Sequence, residues 1–215
     1  MSNDISLKQC VLDELEWEPS VNAAHIGVTT NAGVVTLSGH VASYLEKRAA
    51  ENAAVRVKAV KAIVEDIEVR LPFEFKRGDE EIAIAALHRF AWDRAVPADA
   101  IKIEVADGWV TLTGQVAWHY QQAAAALDVG GLLGVVGVSN NITIMPKPSA
   151  PNMRKNILAA LRRSWFDAKA IDVKVDEGNV RLSGTVRGWS ERESAASTAW
   201  AAPGTVNVEN LIRVD

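Results

Sequence analysis

Along this 215-residue chain, apolar and polar residues alternate in short bursts, and the bursts recur. Gly33-Val34-Val35-Thr36-Leu37-Ser38-Gly39-His40-Val41 is matched by Gly108-Trp109-Val110-Thr111-Leu112-Thr113-Gly114-Gln115-Val116. A third copy reads Gly178-Asn179-Val180-Arg181-Leu182-Ser183-Gly184-Thr185-Val186. The shared form is G-x-V-x-L-[ST]-G-x-V, and its second glycines lie 75 and then 70 residues apart. Repeats at such a period mark tandem copies of one structural unit. The register extends on both sides. Ile26, Ile101 and Ile171 stand thirteen residues before the glycine, and Val28, Ile103 and Val173 eleven before. Ile63, Val138 and Val208 follow it by 24, Ile67, Ile142 and Ile212 by 28, and Val69, Ile144 and Val214 by 30. Alternation with period two predicts half-buried strands, the first two joined by a hairpin turn at Gly33, Gly108 and Gly178.

Between the second and third strands the pattern changes to helical spacing. Ala50, Ala54 and Val57, then Ala125, Val129 and Leu132, then Ala195, Ala199 and Ala202 recur as i, i+4, i+7, which predicts a helix with a small-residue buried face. Another helix precedes each first strand, with Val11, Leu12 and Leu15 as core residues in the first unit. Ile82, Ala86, Leu87 and Phe90 fill that role in the second unit, and Ile157, Leu161 and Trp165 in the third. Asn3 or Asp4 is the expected N-cap of the first helix. The pairs Trp17-Glu18, Trp92-Asp93 and Phe166-Asp167 align as helix ends, which gives the third unit a shorter lead-in loop and makes Trp17 and Trp92 core residues. The expected fold is α+β: three tandem small αββαβ domains, each a three-stranded mixed sheet covered by two helices, at residues 1–71, 78–145 and 151–215. In each, a right-handed helical crossover makes the third strand parallel to the second. The proline-rich segment Met145-Pro146-Lys147-Pro148-Ser149-Ala150-Pro151 reads as a stiff, extended linker.

Composition narrows the function classes. With 48% hydrophobic residues and a net charge of −4, the chain is not of the disordered type, and no apolar run reaches membrane-spanning length. The mild acidity argues against nucleic-acid binding. The N-terminus lacks the features of a signal peptide, so the expected compartment is the cytoplasm, or the periplasm if a leader has been removed. The single cysteine, Cys10, has no disulfide partner and falls in a helical pattern, where it reads as a small core residue. His25, His40, His88 and His119 occupy unlike positions in the repeat and lack metal-ligand spacing, and no nucleophile–base pair recurs. The chain thus reads as non-enzymatic, without cofactor or metal.

The hairpin motif, the alanine-rich helix and the ending Gly134-Val135-x-x-Val138-x-Asn140-x-Ile142 resemble the BON domain (bacterial OsmY and nodulation) in all three units. The third unit keeps Gly204, Val208, Asn210 and Ile212, whereas the first has Ala59 for the glycine and Glu65 for the asparagine. The resemblance implies a binding or scaffolding module, associated in this family with osmotic stress, membrane integrity and phospholipid contact, and in some members with potassium.

Within that frame, Gly39, Gly114 and Gly184 read as sites of a bulge or close backbone approach, and Asn140 and Asn210 as partners of nearby backbone groups. Function is expected elsewhere. The second helices open on Tyr44, on Trp118, His119 and Tyr120, and on Trp189, aromatics suited to a bilayer interface or a partner. Net charge runs −4, −2 and +2 through residues 1–75, 76–147 and 148–215, and the basic excess of the last unit gathers on its first helix at Arg154, Lys155, Arg162 and Arg163, beside Trp165. A basic amphipathic helix of this kind attracts an anionic phospholipid surface. The expected partner is therefore anionic lipid or another, membrane-associated protein. The alternative is sensing of potassium or another small ion through backbone carbonyls.

Overall fold

The computed structural model describes residues 2–146 and 152–214. The first unit consists of α1 (Ser2–Trp17), β1 (Ile26–Asn31), β2 (Val34–Val41), α2 (Tyr44–Arg56) and β3 (Ala62–Val69). The second is α3 (Asp79–Trp92), β4 (Ile101–Ala106), β5 (Trp109–Val116), α4 (His119–Gly130) and β6 (Gly137–Ile144). The third is α5 (Met153–Leu161), β7 (Ile171–Asp176), β8 (Asn179–Val186), α6 (Trp189–Trp200) and β9 (Asn207–Val214). In every unit the middle strand is central, antiparallel to the strand before it and parallel to the one after the crossover helix. The α+β architecture of three tandem αββαβ units is therefore the one the repeat predicts.

The hairpins turn in two residues. Ala32-Gly33, Asp107-Gly108 and Glu177-Gly178 all have positive φ at both positions, the twist that suits a tight hairpin. One face of each sheet is apolar and carries the helices. Val35, Leu37 and Val41 are buried on β2, Val110, Leu112 and Val116 on β5, and Val180, Leu182 and Val186 on β8. The helices answer with small side chains, Ala50, Ala53 and Ala54 on α2, Ala125 and Val129 on α4, and Ala195 and Ala199 on α6, which bring the helix axis close to the sheet. The intervening positions point to the uncovered face and are polar, as in Thr36 and Ser38.

Register depends on Gly39, Gly114 and Gly184. They oppose Ile26, Ile101 and Ile171 across the hairpins and have φ of 124°, 141° and 130°. A Cβ there would lie 2.0, 2.1 and 1.9 Å from the carbonyl oxygens of His25, Ala100 and Ala170. The glycine is thus required twice, by the backbone conformation and by the approaching chain. Ala59 is the opposite case. It stands where Gly134 and Gly204 stand, and it takes the same left-handed turn, with φ of 73° against 89° and 89°. The first unit keeps the helix-to-strand turn and carries the strain of a Cβ in it.

Several assignments of the first helices differ from expectation. The buried stripes are Leu7, Val11 and Leu15, then Ile82, Ala86 and Phe90, then Met153, Ile157 and Leu161. Helix α1 already runs from Ser2, so Asp4 lies in its first turn and not at its cap. Cys10 is exposed, about 100° around the helix from the centre of that stripe. Leu87 is likewise exposed, and Trp17 and Trp92 are 82% and 86% exposed. Each of those tryptophans follows the last buried residue of its helix by two positions, about 200° away, and so faces outward. In the third unit Trp165 is exposed and Phe166 is buried. Leu15 and Phe90 stand 24 residues before their glycines and Leu161 stands 23 before Gly184, so the lead-in is one residue shorter, not four. Phe166 corresponds to Val21 and Val96, eighteen residues before the glycine, and not to the tryptophans. The stiff linker expected at 145–151 lies mostly outside the described residues.

Two substitutions probe this frame. Ala59→Gly is expected to stabilise the protein by about 1 kcal/mol by releasing left-handed strain, a rise of roughly 2–4 °C in Tm for a chain of this size. Gly114→Ala is expected to destabilise by about 3 kcal/mol or more. Thermal and urea unfolding read both.

Candidate functional site

The second helix of each unit is fastened to the third strand by one side-chain bracket. Eight residues after the signature glycine stand Lys47, Gln122 and Arg192, and 26 after it stand Glu65, Asn140 and Asn210. The Asn140 amide nitrogen donates to the Gln122 carbonyl at 2.8 Å, its oxygen accepts from the Ile142 amide, and Gln122 Nε2 donates to the Ile142 carbonyl at 2.6 Å. Asn210 and Arg192 repeat the pattern, with Arg192 donating to the carbonyls of Ile212 and Asn210. In the first unit Lys47 Nζ donates to the Ile67 carbonyl at 2.8 Å and pairs with Glu65 at 2.9 Å, while Glu65 accepts from the Ile67 amide. The asparagines thus close backbone groups of an edge strand. An ion pair does the same where the first unit has Glu65.

Two of the rings at the second-helix starts, Tyr44 and His119, lie at contacts between units. Tyr44, five residues after its glycine, packs on the second unit's core, and its ring would lie 3.2 Å from a Cβ placed on Gly130. His119 holds the same position in the second unit and stacks on Trp200 of the third, with ring centroids 4.2 Å apart and planes at 11°. Gly130 and Trp200 are themselves equivalent, each sixteen residues after its glycine. Helix α6 also packs on α2, so the three second helices meet one another. Burial pushes the Tyr44 hydroxyl above its ordinary range and holds the His119 imidazole below its own. Trp189, third in the series, carries the Arg192 guanidinium 4.8 Å above its ring. Trp118 is half-buried and caps α4, and Tyr120 is 57% exposed. Of the tryptophans peculiar to one unit, Trp109 lies on the uncovered sheet face across Gly137 and donates from Nε1 to Ser139 Oγ at 2.8 Å.

Arg154, Lys155, Arg162 and Arg163 are all exposed on or just beyond α5. Arg154 is engaged, donating to the Val173 carbonyl at 2.6 Å and to Asp172 at 3.3 Å, and Arg163 bonds the Ala159 carbonyl. Trp165 is 72% exposed and lines a separate groove with Asp167, Lys169, Arg187 and Glu191. Trp17 and Trp92 belong with Trp165 as exposed indoles beyond the last buried turn of a first helix. Their helical phase after Leu15 and Phe90 was the sequence signal that could have shown it.

The second unit holds one group the sequence did not single out. Asp128 on α4 is buried, accepts from Arg89 Nε at 2.9 Å through Oδ1, and has no partner for Oδ2. Burial pushes its carboxyl up, against the pull of Arg89, and the neighbouring Asp93 carboxyl pushes the same way. Among the described residues no group of three or more His, Cys, Asp or Glu side chains is placed to hold a metal ion, and no helix is long and apolar enough to cross a membrane.

Three copies of one mixed-sheet unit, meeting through their crossover helices, define a tandem array of small α+β modules. The family model of the BON domain matches residues 3–70, 78–146 and 149–215, and the chain belongs to that family. It is 29% identical over 127 residues to the osmotically-inducible protein Y of Escherichia coli (strain K12), covering 57% of this chain and 63% of that protein, so it spans somewhat less than two thirds of the length of this relative. Two solved structures of CdsD, a structural protein of the type III secretion system of Chlamydia trachomatis, align at 15% identity. They cover 98% of this chain and 98% and 92% of theirs, with TM-scores of 0.28 and 0.27.

Two titrations follow from this geometry. Because the Asp128 carboxyl is raised in the fold, it stabilises the protein at low pH, and this contribution is lost as pH rises through its folded value. Asp128→Asn, which keeps the Arg89 bond and offers a donor to Asp93, is expected to gain about 1 kcal/mol at neutral pH. The gain should fade as pH falls toward the ordinary value of 3.8. His119 has the opposite sign: its imidazole is lowered, so stability present above its ordinary value of 6.5 is lost as pH falls below it. His119→Phe, which keeps the stack, is expected to lower Tm less than wild type does between pH 7.5 and pH 5.

Proposed function

We propose that the protein is a binding or scaffolding protein of the osmotic-stress response, not an enzyme, and that it docks on an anionic phospholipid surface or on a membrane-associated partner. The observation that carries this reading is the outer end of the first helices, where Trp17, Trp92 and Trp165 are each more than 70% exposed. An indole held in water at such exposure favours a bilayer interface, where its apolar ring and its N–H are both accommodated. The third unit adds charge to this chemistry. Arg154, Lys155, Arg162 and Arg163 are exposed on or just beyond the helix that precedes Trp165 in the chain, whereas Trp17 lies among Glu14, Glu16 and Glu18. Contact is therefore led by the third unit. Trp118, Tyr120 and Trp189 are secondary anchors, Tyr120 being the most exposed of them. The likeness to an osmotically inducible relative supports the physiological setting. The binding-protein reading is supported by the burial-shifted groups Tyr44, His119 and Asp128, which lie at packing contacts and not together in a cleft.

Vesicle co-sedimentation tests the reading. The protein is expected to pellet with anionic vesicles, to release in high salt, and to ignore neutral ones. Each basic side chain near the surface contributes about 1 kcal/mol, so reversing Arg162 and Arg163 to Glu should weaken binding at least tenfold. Trp165→Ala should weaken it further. Equal pelleting with anionic and neutral vesicles would overturn the lipid reading.

A further inference from the structure

The uncovered sheet face of the first unit brings two histidines together. The β1–β2 register pairs Ile26 with Gly39, and one step further along it His25 faces His40, with ring centroids 4.7 Å apart and planes tilted by 47°. Gly39 makes this possible, because the His25 carbonyl lies where any Cβ at that position would stand. His25 is exposed and His40 half-buried, and together they line a groove with Asn22, Val41, Ala42, Glu46 and Arg70. The polar groups around them are already committed. Glu46 accepts from the amides of Asn22 and Ala42 at 2.8 Å each, and Glu68, paired with His40 across β2–β3, is held by Arg70 at 2.7 Å. Among the described residues neither imidazole makes a side-chain hydrogen bond; His40 feels the charge of Glu68, and the two rings face each other.

From this geometry we infer a binding site for one late transition-metal dication, Cu2+ or Zn2+, chelated by His25 and His40. Metal–nitrogen bonds of about 2.0–2.1 Å put an imidazole centroid roughly 3.2 Å from its ion, and two such rings at an angle of ~90–110° have centroids roughly 4.5–5.2 Å apart. The observed 4.7 Å falls within that span. No third protein ligand stands in range among the described residues, so the ion keeps water in its remaining positions and the site stays open to solvent. Two imidazole ligands select late transition ions over Mg2+ and Ca2+, which require oxygen donors. The site belongs to the first unit alone: its counterparts are Ala100 and Gln115 in the second and Ala170 and Thr185 in the third. The Glu68–Arg70 pair beside it is neutral in sum, leaving the approach without a net repelling charge.

Calorimetric titration of the full chain with Zn2+ and with Cu2+ tests the site, in a Cys10→Ser background that removes the exposed thiol. One equivalent is expected to bind with Cu2+ the tighter ion, and Mg2+ should give no heat. Loss of one of two ligands should exceed the 10–100-fold effect typical of a supporting group, so His25→Ala and His40→Ala should each weaken binding by more than about 100-fold. Metal-free melting temperatures should be unchanged, since neither side chain is in the core. In proton–nitrogen spectra the His25 and His40 rings should respond together to Zn2+ while His88 and His119 do not. Equal binding by the double variant, a response confined to other histidines, or no binding by the parent chain would overturn the proposal.

Discussion

A backbone carbonyl set against a glycine Cα is the constraint on which each unit depends. At Gly39, Gly114 and Gly184 the chain entering the first strand comes so near the second that any side chain would collide with it. This contact fixes where the hairpin pairs, and a slip of one residue would turn every apolar side chain of the strand to the wrong face. Everything downstream is then counted from the glycine. Five residues on, the crossover helix begins. At eight it presents the group that reaches the third strand, and at twenty it ends in a left-handed turn. At 26 the strand answers with Glu65, Asn140 or Asn210. The bracket tolerates ammonium–carboxylate, amide–amide and guanidinium–amide pairs because what it must satisfy is the same backbone each time, the N–H and C=O of Ile67, Ile142 or Ile212.

The same counting governs how the units meet. Position five of one unit contacts position sixteen of the next, as Tyr44 on Gly130 and His119 on Trp200. In the first pair a phenol ring uses the space of a missing side chain, and in the second two flat rings stack. Both contacts draw the crossover helices together and leave the first helices on the outside. Their terminal indoles, turned from their own cores by helical phase, stay in water there. Tyr44 and His119, at the starts of their second helices, therefore serve cohesion within the chain, while the indoles at the ends of the first helices remain available to an external surface.

How much of this could be read in the sequence depends on whether the local pattern or its phase decided the matter. Strands, hairpins, crossovers and the mixed sheet follow from period-two alternation and the spaced glycines, and the structure has them all. In the first helices residue type and helical angle point different ways, and the angle decides. As large apolar residues Trp17 and Trp92 suggest core, yet they stand two positions beyond Leu15 and Phe90, nearly on the opposite side, and are exposed. Leu87 and Cys10, apolar by type, are exposed for the same reason. The acidic neighbour of Phe166 suggests alignment with the tryptophans, whereas counting from Gly184 puts it with Val21 and Val96 against the core. Contacts between units were not legible, since Gly130 and Trp200 share no chemistry and only equivalence of position relates them. The His25–His40 pair was legible in principle. Fifteen residues of separation hide it from any linear motif, but the hairpin register that the glycine imposes places the two side by side.

The divergent positions show where unit-specific chemistry can reside at little cost to the fold. At the lead-in to the first strand and just after the signature glycine, the frame uses only backbone, so His25 and His40 can stand where other units have alanine, glutamine or threonine. The charged outer turn of α5 is free in the same way. Asp128 is different. It faces inward fourteen residues after its glycine, where the first unit buries Ala53 and the third has Thr198, and it leaves one carboxylate oxygen without a partner. A buried acid at a frame position opposes folding unless it is paired, and here Arg89 pairs only one oxygen. The second unit, which receives Tyr44 from one neighbour and Trp200 from the other, therefore carries its least settled charge on the helix through which the three units meet. The stability of that helix bears on more than its own unit, and the junction is sensitive to pH through Asp128 and His119 acting in opposite directions.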